Sequence, residues 1–193
     1  MAGLSAPELE NVDWSALPRP VDDGAASHLS GVALPDIALP ATTGPDVPLA
    51  RLAGRTVLYA YPMTGKPGVA LPGGWDGIPG ARGCTPQACA FRDHYAELRG
   101  AGAEHVFGIS TQDTAYQREA AERLHLPFPL LSDAALRLTT ALRLPVMLVD
   151  GAMLLKRMAL IIEDGIIAHV FYPVFPPDRN AADVLQWLRA RQA

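Results

Sequence analysis

The amino-acid sequence predicts an α/β fold, a central mixed β-sheet flanked by helices. Three observations carry this. Between residues 56 and 142, short apolar runs alternate with amphipathic stretches of helical period. Two further apolar runs, 158–162 and 166–172, flank Glu163-Asp164-Gly165, a tight-turn signal that adds antiparallel strands to parallel ones. Hydrophobic residues make up 49% and charged residues 19% of the 193, enough apolar content for one sizeable core.

Residues 1–31 read as an N-terminal extension to a domain of residues 32–193. The extension is polar, carries Pro18 and Pro20, and lacks strong periodicity. Residues 22–29 could form a short helix, and the segment is expected to wrap on the surface or on a partner subunit. From 32 to 54, short apolar runs broken by Pro35, Pro40, Pro45 and Pro48 read as an edge hairpin or an irregular entry to the core. Thr-Val-Leu-Tyr-Ala-Tyr at 56–61 is a central strand. Residues 63–82 hold too many glycines and prolines for a regular element. A loop this long is functional or disordered. It feeds the cysteine segment directly, so it is expected to shape access to Cys84, with Trp75 as its anchor; the alternative is an exposed insertion without a role.

After the cysteine segment come a strand at 105–110 and an amphipathic helix at 114–124. A short strand at 129–132 ends in Ser132-Asp133, and a short helix follows at 134–142. The hairpin around Glu163-Asp164-Gly165 precedes a last helix at 180–191, with Val184, Leu185 and Leu188 facing inward and Asn180 or Asp178 near its cap. Strand–helix–strand–helix, then a hairpin and a helix, is a thioredoxin-like plan.

Charge and composition exclude several functions. The net charge is −4 with no long basic run, which argues against nucleic acid and anionic membranes. No apolar run approaches the ~20 residues of a membrane span. Residues 1–13 lack a basic n-region and an apolar h-region, so a cytoplasmic location is expected. Two cysteines do not make a disulfide scaffold; in a cytosolic protein such a pair is catalytic, redox-sensing or metal-binding. No histidine cluster lies near them, so a metal is the least favoured of the three.

Both cysteines lie in Gly83-Cys84-Thr85-Pro86-Gln87-Ala88-Cys89-Ala90-Phe91-Arg92-Asp93. Cys84 sits where a helix should begin, with Thr85 as N-cap and Pro86 at N1. Phe91, Tyr95 and Leu98 recur at helical spacing, and Gly100 supplies a stop. A thiol at that point meets unpaired backbone N–H groups and the positive end of the helix dipole, which favour the nucleophilic thiolate. Five residues of ideal helix give about 7.5 Å of rise and about 140° of rotation, so the two Cα atoms lie roughly 8–9 Å apart. A disulfide needs less than about 7 Å. The pair can therefore bridge only if the first turn unwinds. A cysteine that reacts first and a partner that resolves later would have this arrangement; so would two small buried hydrophobes.

Together, Tyr61-Pro62, the cysteine segment with its Phe-Arg-Asp, Leu131-Ser132-Asp133, and Arg157 before the strand leading to Glu163-Asp164-Gly165 resemble the peroxiredoxins. The likeness is greatest to the Q-type, bacterioferritin-comigratory-like branch and runs from about residue 32 to the end. It implies a thiol peroxidase on a thioredoxin fold, reducing hydrogen peroxide or organic hydroperoxides without metal or organic cofactor. Cys84 aligns with the peroxidatic cysteine, Cys89 with the resolving cysteine and Arg157 with the active-site arginine. Pro62 aligns with the proline that shields the thiolate, and Gly83 and Thr85 border the peroxide. The implied cycle runs through a Cys84 sulfenic acid and an intramolecular disulfide, recycled by thioredoxin or a similar dithiol, in a monomer or homodimer.

Two departures stand out. The family's proline lies seven residues before the peroxidatic cysteine, whereas here the 63–82 loop intervenes. The family's threonine three residues before that cysteine is Ala81 here; Thr64 or Thr85 would have to supply a hydroxyl, or Thr64 is an ordinary loop residue. Arg92 with Asp93 reads as a structural ion pair, and Arg82 and Lys156 as solvated cations. A non-enzymatic redox sensor is the alternative from another class. A thiol–disulfide oxidoreductase is less well matched, because Cys-x-x-Cys is absent.

Overall fold

A computed structural model describes residues 3–191. In chain order the regular elements are α1 (Ala6–Glu10), β1 (Ala38–Leu39), β2 (Val47–Pro48), β3 (Arg55–Ala60), α2 (Cys84–Asp93) and α3 (Tyr95–Gly100). They continue with β4 (His105–Ser110), α4 (Thr114–Arg123), β5 (Leu130–Ser132), α5 (Arg137–Leu142), β6 (Val146–Val149) and β7 (Ala152–Leu155). The last are β8 (Met158–Glu163), β9 (Ile166–Phe171) and α6 (Asn180–Arg189).

A five-stranded sheet in the order β5-β4-β3-β8-β9 forms the centre. β3 pairs in parallel with β4 and antiparallel with β8, so the sheet is mixed as expected. A parallel neighbour demands a crossover, and the chain from 61 to 104 supplies it, carrying the cysteine segment at the carboxyl end of β3. Alternate β3 side chains enter two cores. Val57 and Tyr59 pack with Phe91, Leu98, Val184 and Leu188, from α2, α3 and α6. Leu58 and Ala60 pack with Leu138, Leu160 and Ile162 and with the β1–β2 region. Covering both faces explains why β3 reads as a continuous apolar run rather than an alternating one.

Several local expectations need correction. Residues 22–29 form turns, not a helix, although Leu29 is fully buried. α2 starts two residues earlier than the capping signals indicate: its N-cap is Gly83, in the left-handed region at φ 103°, and Cys84 is its first residue. Thr85 and Pro86 therefore fall inside the first turn, where a missing proline N–H leaves nothing unpaired. The helix breaks at His94 rather than running on to Gly100. Neither Asn180 nor Asp178 caps α6, whose N-cap is Arg179; both have other partners, described below. The β6–β7 hairpin lies outside the elements expected, although Asp150-Gly151 between two apolar runs is a strong hairpin signal. Its residues Val149 and Leu154 pack with Trp75 and Ala81, so Trp75 does anchor the 63–82 loop.

Asp133, singled out by its motif, is buried and accepts bonds from the backbone of Leu138 and Thr139 and from the Thr139 hydroxyl. It fastens the start of α5.

Candidate active site

α2 delivers Cys84 to the sheet because Phe91, two turns on, stacks flat against Tyr59 of β3, with centroids 4.3 Å apart. Gly83 makes the sharp entry. Its positive φ suits only glycine, and a Cβ there would lie 2.7 Å from both Pro177 Cγ and Trp14 Cη2. Cys84 is 4% exposed. Its sulfur is thus nearly covered, but its surroundings are not purely apolar.

Arg157 comes from the two-residue link between β7 and β8 and is 3% exposed. Its Nη2 donates to Cys84 Sγ at 3.2 Å and to the carbonyls of Gly80, Ala81 and Arg82 at 3.2, 3.0 and 3.1 Å. Nη1 donates to Gln87 Oε1. Gln87 is fully buried and in turn donates to Asn180 Oδ1 at 2.9 Å. Arg157 has no carboxylate partner among the described residues, and its Nε is buried without a partner there. A buried cation facing only neutral acceptors is costly unless an anion completes it. Among its partners in the described residues, Cys84 Sγ is the one that is neither a carbonyl nor an amide oxygen.

Cys89 lies on the same unbroken helix and is half-buried, and both thiols are free. Burial pushes the Cys89 thiol pKa up; Arg92 opposes this, and Glu10 and Asp93 add to it. The structure thus brings Cys84 and Arg157 into contact and keeps Cys89 on the same helix.

The other candidates are less directly engaged. Pro62 is buried at the end of β3. Thr64 is buried, and its amide and hydroxyl both donate to Gln112 Oε1, at 3.0 and 3.1 Å. Thr85 is buried in the first turn of α2. Ala81 is fully buried beside Trp75, where a hydroxyl would be desolvated; its carbonyl instead faces Arg157 Nη2 and, at 3.6 Å, Cys84 Sγ. Arg92 pairs with Asp93 at 2.8 Å and bonds the Leu124 carbonyl, the structural role expected of it. Lys156 and Arg82 are not simply solvated. Lys156 pairs with Asp23 at 2.6 Å, and Arg82 bonds Asp76 and the Glu8 carbonyl.

Sequence reading missed Gln87, Asn180 and Trp14. A glutamine on the inward face of a helix and a lone tryptophan in a polar extension were the available signals.

The sequence profile described as Redoxin matches residues 29–185. The chain belongs to that family. Curated relatives that it matches include proteins named peroxiredoxin Q. The chain is 33% identical over 161 residues to peroxiredoxin Q, chloroplastic, of Arabidopsis thaliana, covering 83% of this chain and 67% of the relative. It is 32% identical over 161 residues to the protein of that name from Oryza sativa subsp. japonica, covering 83% and 66%. The chain thus spans about two thirds of the length of these relatives. It is a Q-type peroxiredoxin, as its cysteine segment indicated. Among solved structures, peroxidoxin BcpB from Mycobacterium tuberculosis superposes with a TM-score of 0.66 at 29% identity, covering 85% of this chain and 98% of that one. Xanthomonas campestris peroxiredoxin Q superposes with a TM-score of 0.63 at 22% identity over 92% and 98%, a likeness of fold. The thioredoxin-like α/β plan is thereby established. Among the described residues no helix is long and apolar enough to cross a membrane.

Proposed function

We propose that this peroxiredoxin is a thiol peroxidase that reduces hydrogen peroxide or organic hydroperoxides through Cys84. The observation that supports this most is the buried Arg157 guanidinium, 3.2 Å from Cys84 Sγ and without a carboxylate of its own among the described residues. The Cys84 thiolate attacks one peroxide oxygen; an S–O bond forms, the O–O bond breaks, and the departing alkoxide or hydroxide takes up a proton. Cys84 is then a sulfenic acid. Arg157 and the backbone N–H groups of the first turn of α2 stabilise the charge on the leaving oxygen. Pro62, Gly83 and Thr85 border the attacked peroxide, and Thr64 stands behind them through Gln112.

In the second step the first turn unwinds and the Cys89 thiolate attacks Cys84. An S–S bond forms, the S–O bond breaks, and water leaves. A thioredoxin-like dithiol then reduces the disulfide by exchange and is itself oxidised. The chain works as a monomer or homodimer in a compartment, such as the cytoplasm, that supplies such a reductant.

The test is peroxide consumption coupled to thioredoxin. Cys84→Ser should abolish it. Cys89→Ser should stop after one turnover with sulfenic acid accumulating. Continued coupled turnover by Cys89→Ser would remove Cys89 from the cycle, and a wild type that stops after one equivalent would make the protein a sensor rather than a peroxidase.

A further inference from the structure

The resolving step proposed above requires residues 80–84 and the first turn of α2 to move, and residues 8–23 of the extension lie fastened across that very segment. Four contacts do the fastening. The Glu8 carbonyl accepts from Arg82 Nη2 at 2.6 Å. The Trp14 indole covers the backbone of Gly83 and meets Phe175 edge-on at 6.2 Å, and its Nε1 donates to Asp178 Oδ2 at 2.9 Å. Pro20 lies over the Cα of Gly80, where an added Cβ would meet it at 3.5 Å. Asp23 bonds Lys156 Nζ at 2.6 Å, next to Arg157, and the Tyr172 hydroxyl at 2.7 Å. α1, which carries Glu8, sits against α2, with Leu9 buried against Gly65 of the long loop.

Unwinding the first turn breaks the bond from the Gln87 amide to the Gly83 carbonyl and swings Gly83 away from its neighbours. Trp14 and Pro177 both crowd the Cα of Gly83, where an added Cβ would lie 2.7 Å from each. The indole fills the space beside that Cα so closely that even an added Cβ would clash with it, so the ring obstructs movement of Gly83 toward that space. The indole N–H bonds Asp178, not a cysteine sulfur, so the ring holds the helix entry without taking part in the chemistry.

We propose that residues 8–23 are a strap whose release gates disulfide formation, with Trp14 as its positioning residue on the active-site helix. This rests on the assignment of Cys84 and Cys89 made above. The strap sets a competition. Sulfenic Cys84 and the Cys89 thiol condense to a disulfide and water. If the strap delays this, a second hydroperoxide oxidises the sulfenic acid to sulfinic acid and is itself reduced to the alcohol, or to water where the oxidant is hydrogen peroxide. A tightly held strap therefore makes the protein easier to inactivate at high peroxide.

The full-length protein and its Trp14→Ala and Trp14→Phe variants provide the test, with hydrogen peroxide as the oxidant. Two readouts are taken: the separate rates of Cys84 oxidation and disulfide formation after rapid mixing, and amide hydrogen exchange of residues 84–88 in the reduced protein. The expected result for Trp14→Ala is an unchanged first step and roughly tenfold faster disulfide formation, the scale of removing one aromatic packing interaction from the closed state. Exchange at 84–88 should quicken in parallel, and sulfinic acid should appear only at higher peroxide. Trp14→Phe keeps an aromatic ring there but loses the indole bond to Asp178, and should fall between wild type and Trp14→Ala. Unchanged exchange at 84–88 in Trp14→Ala overturns the strap. Quickened exchange with no Cys84–Cys89 disulfide in any of the proteins overturns the resolving role of Cys89 and with it the gate, while the strap's hold on the first turn of α2 stands.

Discussion

Arg157 is the residue on which the site turns. A guanidinium has five N–H donors and no acceptor; here one nitrogen ties three consecutive carbonyls and the sulfur, and another holds Gln87. Arg157→Met keeps the apolar stem and removes both the cation and its donors. Cys84 oxidation measured by rapid mixing should slow by about 10²–10³, the usual cost of losing a charge-stabilising donor. The urea midpoint should move far less in relative terms, because losing a buried charge offsets part of the lost hydrogen bonding. Cys89 invites a different measurement. Its pKa is raised by burial, so it is a thiol at neutral pH, and its thiolate fraction grows about tenfold per pH unit below that pKa. Disulfide formation should therefore accelerate steeply from about pH 6 to about pH 9. The same raised value gives a stability contribution that is complete below the unfolded thiol's pKa and is lost as pH rises through the folded one. A pH-independent second step would mean that some event other than Cys89 attack limits the rate.

At the scale of the element, α2 is held by its apolar face rather than by its caps. Gly83 offers no side-chain cap, while Phe91 is fully buried between Tyr59 and the α6 side of the core. Phe91→Ala should cost about 3–5 kcal/mol, which for a chain of this size lowers Tm by roughly 6–20 °C; calorimetry of the reduced protein reads this directly. Periodicity revealed where strands and helices lie, because burial of one face imposes a local repeat. It could not reveal that Gly83 rather than Thr85 is the N-cap or that the helix breaks at His94. Those ends depend on Gly83 meeting Pro177 and Trp14, and on the next chain segment turning toward α6. The β6–β7 hairpin was legible in Asp150-Gly151. Its purpose was not, since it walls in Trp75 and Ala81 from far along the chain.

At the scale of the whole molecule, the chain closes on itself around one sulfur. The extension, the long loop, the β7–β8 link and the turn before α6 all converge at the head of α2. Ala81 shows how context decides a residue's meaning. By sequence it is a missing hydroxyl; in the fold it is a small apolar residue filling space beside Trp75 while its carbonyl holds Arg157. Lys156 likewise passes from a solvated cation to the anchor of Asp23.

What the residues alone determined is whatever local chemistry controls: a thiol at the start of a helix, a second one too far along it to bridge, and the alternation of period that orders strands and helices. What the tertiary structure decided is which distant groups meet that thiol. Arg157 stands 73 residues from Cys84 and Gln87 stands 93 from Asn180, and Trp14 belongs to a segment with no periodicity to read. Such contacts arise because the sheet order and the buried core bring the segments together, and no pattern within a window of a few turns encodes that proximity.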